Sequence, residues 1–123
     1  MNREQAERYA QQWIANWCKR DIDAIVAHHA EDARFTSPLA LQRTGNAVVQ
    51  GRAALRAYWE GARAYDSFSF TLEDAIWDEQ QQVLVITYRR DIEGRHSRAC
   101  EIVRFNEHAQ VIEGEGMYGA VWP

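Results

Sequence analysis

Apolar residues recur at helical spacing in the first half of the chain. From Asn2 to Lys19, and again after Gly51, they lie three and four positions apart, as on one face of an amphipathic helix. Asp21 is a suitable N-cap for a short helix between these two. The pattern therefore predicts three helices. Their buried stripes are Ala6, Tyr9, Ala10, Trp13, Ile14 and Trp17; Ile22, Ile25, Val26 and His29; and Ala54, Leu55, Tyr58, Trp59 and Ala62.

The segment between the second and third helices has a different pattern. The stretch from Ala33 to Ser37 alternates between apolar and polar residues and stops at Pro38, which cannot donate a hydrogen bond to a neighbouring strand. We therefore expect a short strand at the edge of a sheet. Residues 39–50 contain the turn sequence Thr44-Gly45-Asn46, which predicts a loop or a partly ordered flap.

After Asp66 the alternation is typical of strands. The predicted strands contain Phe68, Phe70 and Leu72, residues 83–91, residues 99–105 and residues 111–118. The separating segments are short enough for hairpins. Helices followed by a meander of antiparallel strands predict an α+β fold with the helices packed on one face of the sheet.

Composition narrows the class of protein. A chain of 123 residues that is 46% hydrophobic and 26% charged predicts one globular domain over residues 1–123. The net charge of −4, with both signs mixed along the chain, argues against nucleic acid as a partner. No apolar run approaches the ~20 residues of a membrane span. The two cysteines form no Cys-x-x-Cys, which fits a reducing compartment, so we expect a cytoplasmic protein.

Strand parity predicts which side chains share a face. A two-residue turn at Glu93-Gly94 or Gly94-Arg95 puts even positions before it on the same face as odd positions after it. One face then consists of Leu84, Ile86, Tyr88 and Arg90 with Ala99, Glu101, Val103 and Phe105. This face is apolar except for Arg90 and Glu101, and small-molecule sites are apolar hollows with a few convergent polar groups.

Four segments of the sequence carry a family resemblance. They are Trp13-x-x-x-Trp17-x-x-x-Asp21-Ile-Asp-Ala-Ile, Glu31-Asp-Ala-Arg-Phe-Thr-Ser-Pro38, Gly51-Arg-Ala-Ala-Leu-Arg-Ala-Tyr58 and Val103-Arg-Phe-Asn-Glu107. Together they resemble the nuclear-transport-factor-2-like superfamily, in particular its SnoaL-like branch of polyketide cyclases and ketosteroid isomerases. The resemblance implies a cone-shaped, cystatin-like α-β(4) roll, in which a curved antiparallel sheet wraps around N-terminal helices, and frequent dimerisation. Because the superfamily contains both enzymes and proteins without chemistry, the fold does not name a reaction.

The register that the resemblance implies for the last hairpin extends both faces. It adds Ile112, Gly114, Gly116 and Tyr118 to the first face, where the two glycines leave volume opposite large side chains. It adds Glu113 and Glu115 to the second face, which also carries Asp91 with Arg89, Arg98 and Arg104. Such opposite charges on neighbouring strands are typical of a solvated or subunit-facing surface, so we expect a homodimer through this outer face.

Compared with the isomerases that it resembles, this sequence keeps one expected site residue and differs at two others. Glu101 falls at the position of their protonated acid, whose pKa is raised by an apolar environment. Ser37 stands where their catalytic base is expected, and Trp13 stands where their tyrosine is expected. A serine without an adjacent base cannot replace a carboxylate in proton transfer. Steroid-type isomerisation is therefore disfavoured, and the paired aspartates of the limonene-epoxide hydrolases are absent as well.

The sequence predicts a pocket for a small apolar, ring-containing molecule. Glu101 is the predicted proton donor or acceptor, and Arg90 either orients it, binds an anion, or pairs with it in a buried ion pair. The expected substrate contacts are Trp13, Trp17, Phe35, Ser37, Tyr58, Tyr88, Gly114, Gly116 and Tyr118. A cofactor-free isomerase, cyclase or dehydratase is one hypothesis. The alternatives are a non-catalytic ligand-binding module and a dimerisation domain whose hollow is filled by the aromatic rings.

Histidine offers a second candidate acid-base group and no metal site. His28 and His29 are adjacent and diverge on a helix, so they cannot share a metal ion, and no metal ligand set is predicted. His29 could reach the hollow from the apolar stripe of the second helix, or it could serve only as a packing residue.

Overall fold

The first helix has the boundaries that its pattern predicts. The computed structural model describes residues 1–122, and α1 spans Arg3–Lys19. The side chain of Asn2 accepts a hydrogen bond from the backbone of Gln5, and the Gln5 side chain accepts one from the backbone of Asn2. This reciprocal pair is a capping box, which satisfies two donors that the first turn leaves free. The helix ends at Arg20 in a left-handed conformation.

The second helix is shorter than its apolar stripe suggests. Asp21 caps α2, which spans Ile22–Ala27, through the backbone N–H of Ala24. The prediction that His29 belongs to this helix is wrong, because β1 begins there and spans His29–Thr36. His29 Nδ1 lies 3.0 Å from the carbonyl oxygen of Ile25. The ring therefore contacts the last turn of α2 from outside the helix and does not belong to its apolar stripe.

Two predictions for the following segment are wrong. β1 is not an edge strand: it pairs with β2 (Val48–Gln50) on one side and with β6 (Val111–Tyr118) on the other. Residues 39–50 are not a loop or flap, because α3 spans Pro38–Thr44 and β2 follows it. Pro38 is the first residue of α3, where a missing N–H costs nothing, and the Ser37 hydroxyl caps the helix through Leu39 N.

The rest of the chain follows the predicted order of one helix and four strands. Gly51, at φ 92°, leads into α4 (Arg52–Trp59), which continues as a 3₁₀ turn over Glu60–Ala64. The strands are β3 (Phe68–Asp78), β4 (Val83–Ile92), β5 (Arg95–Phe105) and β6. Glu93 and Gly94 both have positive φ, as a two-residue hairpin turn between β4 and β5 requires.

The six strands form one curved, open sheet in the order β2-β1-β6-β5-β4-β3. The α+β fold class with N-terminal helices against a curved sheet is thereby confirmed. The β3–β4, β4–β5 and β5–β6 pairs are antiparallel, whereas β1 and β6 are parallel. This parallel pair joins the first strand of the chain to the last. A local sequence pattern does not predict such a long-range contact.

The predicted register is confirmed for the central hairpin and fails at one point of the last one. Ile86 faces Glu101 across β4 and β5, and Glu101 faces Gly116 across β5 and β6. A bulge between Arg104 and Phe105 then shifts the pairing, so that Phe105 lies opposite Val111. Val111 is therefore buried, and the prediction that Ile112 lies on the inner face is wrong.

The helices cover the inner face of the sheet. The Tyr9 ring of α1 packs edge-on against Phe105 of β5, and Trp13 packs against Tyr88 of β4 at 5.0 Å between ring centroids. Trp59 of α4 contacts Phe35 of β1 at 5.4 Å. The buried hydrophobic side chains form one contiguous cluster between these layers. In the part of the chain described here, no helix is long and apolar enough to cross a membrane.

Candidate functional site

Three rows of side chains from β4, β5 and β6 form the floor of the site. Register pairs Arg90 with Ser97 in the first row, Tyr88 with Ala99 and Tyr118 in the second, and Ile86 with Glu101 and Gly116 in the third. Successive rows are two residues apart, about 7 Å along the strands. Arg90 and Glu101 are therefore separated by two row spacings and lie at opposite ends of the floor.

Aromatic rings from the helices and from β1 cover this floor. Trp13 stacks on Phe70 at 5.8 Å between centroids, and Trp17 packs edge-on against Trp59 at 5.8 Å. A cavity of about 70 Å³ remains between the roof and the floor. Its lining residues are Trp13, Trp17, Phe35, Leu39, Arg43, Tyr58, Trp59, Ala62, Tyr65, Phe68, Phe70, Tyr88, Arg90, Ile92, Glu101 and Tyr118.

The cavity is smaller than the hollow that the sequence suggests. Sites for drug-sized molecules are roughly 300–1,000 Å³, and an apolar cavity of about 150 Å³ is enough for benzene. The rings of the roof therefore occupy most of the space above the floor. A ring-containing ligand requires half-buried side chains, such as Tyr58 and Tyr65, to move outward.

Glu101 is a buried carboxyl group that lines the cavity. It is 7% exposed, and within residues 1–122 it makes no hydrogen bond and no ion pair within 4.0 Å. Burial raises the pKa of Glu101 to about 8, because a carboxylate loses its hydration in this apolar setting. At neutral pH the side chain is therefore mostly a neutral acid, which can donate a proton.

The two glycines of β6 make room for this carboxyl group rather than for a ligand. Glu101 Oε1 would lie 3.4 Å from a Cβ on Gly116, and Oε2 would lie 3.8 Å from a Cβ on Gly114. The Tyr118 hydroxyl would lie only 2.8 Å from the Gly116 Cβ, and the Phe35 ring 3.4 Å from that of Gly114. Neither glycine lines the cavity, because these side chains already fill the space above them.

Tyrosine hydroxyls surround the acid. Burial, with a contribution from the charge of Glu101, raises the pKa of Tyr9, of Tyr88 and of Tyr118, the last to about 12. Burial also raises the pKa of Tyr58. All four phenols therefore remain protonated at neutral pH and keep an O–H group that can donate a hydrogen bond. Tyr88 and Tyr118 line the cavity between the Arg90 row and the Glu101 row.

Arg90 and Glu101 do not form the buried ion pair considered from the sequence. No contact within 4.0 Å joins them in the described chain, as expected from their positions at opposite ends of the floor. The guanidinium of Arg90 instead lies over the Tyr118 ring, 4.3 Å from its centroid. The Arg90 Nε is buried and has no hydrogen-bond partner among the described residues.

Ser37 lies behind the wall of the cavity. Its hydroxyl accepts a hydrogen bond from Leu39 N and lies 3.4 Å from the Tyr118 hydroxyl. The side chain is 1% exposed and is not among the cavity-lining residues. Ser37 thus caps α3 and contacts a lining tyrosine, but it has no direct contact with the open volume.

Residues of α3 and of the segment after α4 form the mouth of the cavity. Leu39, Tyr65, Arg90 and Ile92 line both the cavity and an adjoining surface groove. Arg43 of α3 donates a hydrogen bond to the Tyr65 hydroxyl. Sequence reasoning missed Leu39 and Arg43 because it treated residues 39–50 as a loop, although serine before proline is a signature of a helix start.

Other lining residues missed from the sequence had a visible signal. Trp59 and Ala62 belong to the apolar stripe of the third predicted helix, and Phe68 and Phe70 alternate along the first strand after it. These patterns identify a buried face. They do not say which buried residues border an open volume, because that depends on how the layers pack.

His29 does not reach the cavity. Its ring packs edge-on against Trp59 at 5.1 Å between centroids, and burial lowers its pKa to about 4. It is thus a neutral packing residue at physiological pH. Within residues 1–122, no group of three or more His, Cys, Asp or Glu side chains is arranged to hold a metal ion.

Helices packed in a curved, open sheet around a small aromatic cavity define the cystatin-like roll of the nuclear-transport-factor-2-like proteins. The chain belongs to the SnoaL-like domain family, whose model matches residues 10–113. No curated protein matches the sequence.

Solved structures show the same fold. A SnoaL-like protein of unknown function from Burkholderia thailandensis is 25% identical, with a TM-score of 0.87 over 97% of this chain and 98% of that one. The epoxide hydrolase/cyclase-like enzyme SalBIII, from salinomycin pyran-ring formation, is 16% identical, with a TM-score of 0.78 over 99% and 100%. A putative ketosteroid isomerase from Kribbella flavida is 15% identical, with a TM-score of 0.74 over 98% and 82%.

Proposed function

We propose that this protein is a cofactor-free acid-base enzyme that isomerises, cyclises or dehydrates a small ring-containing molecule. The observation that carries the proposal is Glu101: a buried, unpaired carboxyl group whose pKa is about 8 and which lines an aromatic cavity. General acid-base groups work best when their pKa lies near the operating pH. A carboxyl group held neutral at pH 7 meets that condition as a proton donor.

A single carboxyl group suffices for reactions that return the proton within one turnover. In the dehydration of an alcohol, Glu101 protonates the leaving hydroxyl, the C–O bond breaks and water departs. The resulting carboxylate then removes a proton from the adjacent carbon, and the electrons of that C–H bond form the double bond. Glu101 ends the cycle protonated, so that no second base, metal ion or redox cofactor is needed for the balance.

The neighbouring side chains have defined roles in this proposal. The Tyr88 and Tyr118 hydroxyls donate hydrogen bonds to substrate oxygens, and Ser37 orients Tyr118 from behind. Trp13, Trp17, Phe35 and Tyr58 contact the ring of the substrate. Gly114 and Gly116 act indirectly, because they leave the space in which the Glu101 carboxyl group and the Tyr118 hydroxyl lie.

Titration of Glu101 by ¹³C NMR tests the acid directly. We expect a pKa near 8, whereas a value at or below that of free Glu, ~4.3, would refute the role of proton donor. The second measurement is deuterium incorporation from D₂O into small cyclic ketones such as 2-tetralone. We expect Glu101→Gln to lower the exchange rate about 100-fold or more. Glu115→Gln, which removes an exposed carboxylate of β6, is the matched control.

A non-catalytic binding or dimerisation module of the same fold is the second candidate. It is favoured by the small volume of the cavity, about 70 Å³, and by Ser37, which offers no base where the related isomerases need one. The D₂O experiment separates the two candidates. A binding module exchanges no substrate protons above the buffer rate, with or without Glu101.

The outer face of the sheet is the proposed homodimer interface. Ile76 and Met117 are about half exposed, although both are large hydrophobic residues, and Arg104 lies opposite Glu113 on the same outer face. Such a mixture of apolar and oppositely charged groups can be self-complementary in a two-fold dimer. Light scattering should give twice the chain mass of 14.3 kDa, and Met117→Glu should shift the protein toward the monomer.

A further inference from the structure

Two residues that line the cavity each carry a buried hydrogen-bond donor with no acceptor among the described residues. The donors are the indole Nε1–H of Trp17 and the Nε–H of Arg90. Buried donors without a partner are rare in folded proteins, so each needs an explanation. Among residues 1–122 only the indole N–H of Trp77, away from this cavity, shares the condition. The residues that line the cavity therefore carry a local excess of donors.

The residues that carry these donors share a neighbour in the wall of the cavity. Phe70 is the cross-strand partner of Arg90, and the Trp17 ring packs against Phe70 at 5.9 Å between centroids. Cross-strand partners project side by side from the sheet. Arg90 and Trp17 thus have Phe70 as a common neighbour, and both line the one cavity.

Positive charge beside the cavity is not neutralised by the described residues. Arg90 forms no ion pair with any residue from 1 to 122 and faces the ring of Tyr118. Arg43, at the mouth, interacts with the rings and the hydroxyl of tyrosines and has no acidic partner in the same range. Glu101 forms no ion pair within 4.0 Å with either arginine in the described chain. It is protonated at neutral pH, so it adds little negative charge to the cavity.

We propose that the natural ligand is a ring compound with an anionic substituent, such as a carboxylate, bound by Arg90 and Trp17 near the mouth. The uncharged end of the ring then extends along Tyr88 and Tyr118 toward Glu101. The guanidinium of arginine and the indole N–H of tryptophan can only donate hydrogen bonds. An ionised carboxylate can only accept them, so it matches both donors. The orientation toward Glu101 rests on the proposed function, whereas the anion site does not.

Matched acids and amides test the anion site. The probes are benzoate and benzamide, cinnamate and cinnamamide, and 2-naphthoate and 2-naphthamide, titrated into the full chain at pH 7 and 150 mM NaCl. Calorimetry or ¹⁵N chemical shifts give the dissociation constants. We expect at least one acid to bind at least tenfold tighter than its amide, with the largest shifts at Arg90 and Trp17. Replacing Trp17 by Phe should weaken the acid several-fold and leave the amide unchanged.

Arginine variants decide whether Arg90 is responsible. Arg90→Met should reduce the preference for the acid to less than twofold, and Arg90→Lys, which keeps the charge, should retain part of it. Arg89→Met is the matched control, since Arg89 is the preceding residue on the same strand and is exposed on the other face. If Arg90→Met fails to fold, as judged by its ¹⁵N spectrum, Trp17→Phe and Arg90→Lys still test whether these two residues bind the anion.

Three results would overturn the anion site: equal or tighter binding of every amide, a preference that survives in Arg90→Met, or no binding of any acid at 10 mM. The preference should persist in Glu101→Gln, because that substitution leaves Arg90 and Trp17 in place. An ordinary pKa for Glu101 with an intact preference for acids refutes only the proposed function. A pKa near 8 without that preference refutes only the anion site.

Discussion

Two glutamates of the same sheet have opposite environments. Glu101 points into the apolar inner side, where burial raises its pKa to about 8. Glu73, at the bulge of β3, lies on the outer side and accepts three hydrogen bonds from Arg98, at 2.8–3.1 Å, which lower its pKa. The residue type is the same. The difference teaches that strand parity and the presence of a partner decide whether a carboxyl group is a surface anion or a buried acid.

The largest expected effect is a pH-dependent stability that depends on Glu101. The pKa of Glu101 is raised in the folded state. The free energy of unfolding is therefore highest below pH 4.5 and falls as the pH rises to about 8. At about 1.4 kcal/mol per pKa unit, the free energy of unfolding should fall by up to about 5 kcal/mol over this range. Urea denaturation of the wild type and of Glu101→Gln measures it.

The variant should lack this fall, because glutamine does not ionise. Glu115→Gln, which changes an exposed carboxylate on β6, should follow the wild-type curve and serves as the control. Parallel pH profiles for the wild type and Glu101→Gln would show that Glu101 has an ordinary pKa, and the contrast with Glu73 would then disappear.

A cavity-creating variant compares the packing of the two faces. Ile86 is fully buried in the Glu101 row, so Ile86→Ala should cost about 2–5 kcal/mol of unfolding free energy. Thr87, the next residue, faces outward and is half-buried, and Thr87→Ala should cost less than about 1 kcal/mol. Equal urea midpoints for the two variants would contradict the assignment of inner and outer faces.

Filling the space beneath the acid should have an intermediate effect. Gly116→Ala places a methyl group 2.8 Å from the Tyr118 hydroxyl and 3.4 Å from Glu101 Oε1, so one of the two must move. Overpacking of this kind costs about 1–3 kcal/mol, measured by urea denaturation. Gly94→Ala is not a suitable control because of its positive φ, whereas Gly61→Ala meets only the flexible end of Arg43 at 3.5 Å. Equal losses in Gly116→Ala and Gly61→Ala would rule out specific crowding.

The smallest effect is expected on the outer face. Glu73→Gln removes the exposed ion pair with Arg98, and exposed pairs contribute little. The lowered pKa of Glu73 means that its contribution is present above its unfolded pKa and is lost as the pH falls. The melting temperature of Glu73→Gln at pH 7 should stay close to that of the wild type, and the difference should vanish at high salt. A large, salt-independent loss would contradict a purely surface role.

Local patterns were sufficient for much of the fold and for the position of the acid. The periodicity of α1 and α4 and the odd-sum register of the β4–β5 hairpin were predicted from neighbouring residues, and the register placed Glu101 on the inner face. The position of His29, the helix after Ser37 and the bulge at Arg104 were predicted wrongly or missed. Each is set by a competing local signal or by a distant strand.

The sequence by itself determined which side chains share a face, because alternation and helical spacing are properties of consecutive residues. Only the tertiary structure decided that Arg90 and Glu101 stand apart, that β1 lies between β2 and β6, and that the aromatic rings leave about 70 Å³ open. These features depend on contacts between residues far apart in the chain and on the volumes of packed side chains, which no local pattern encodes.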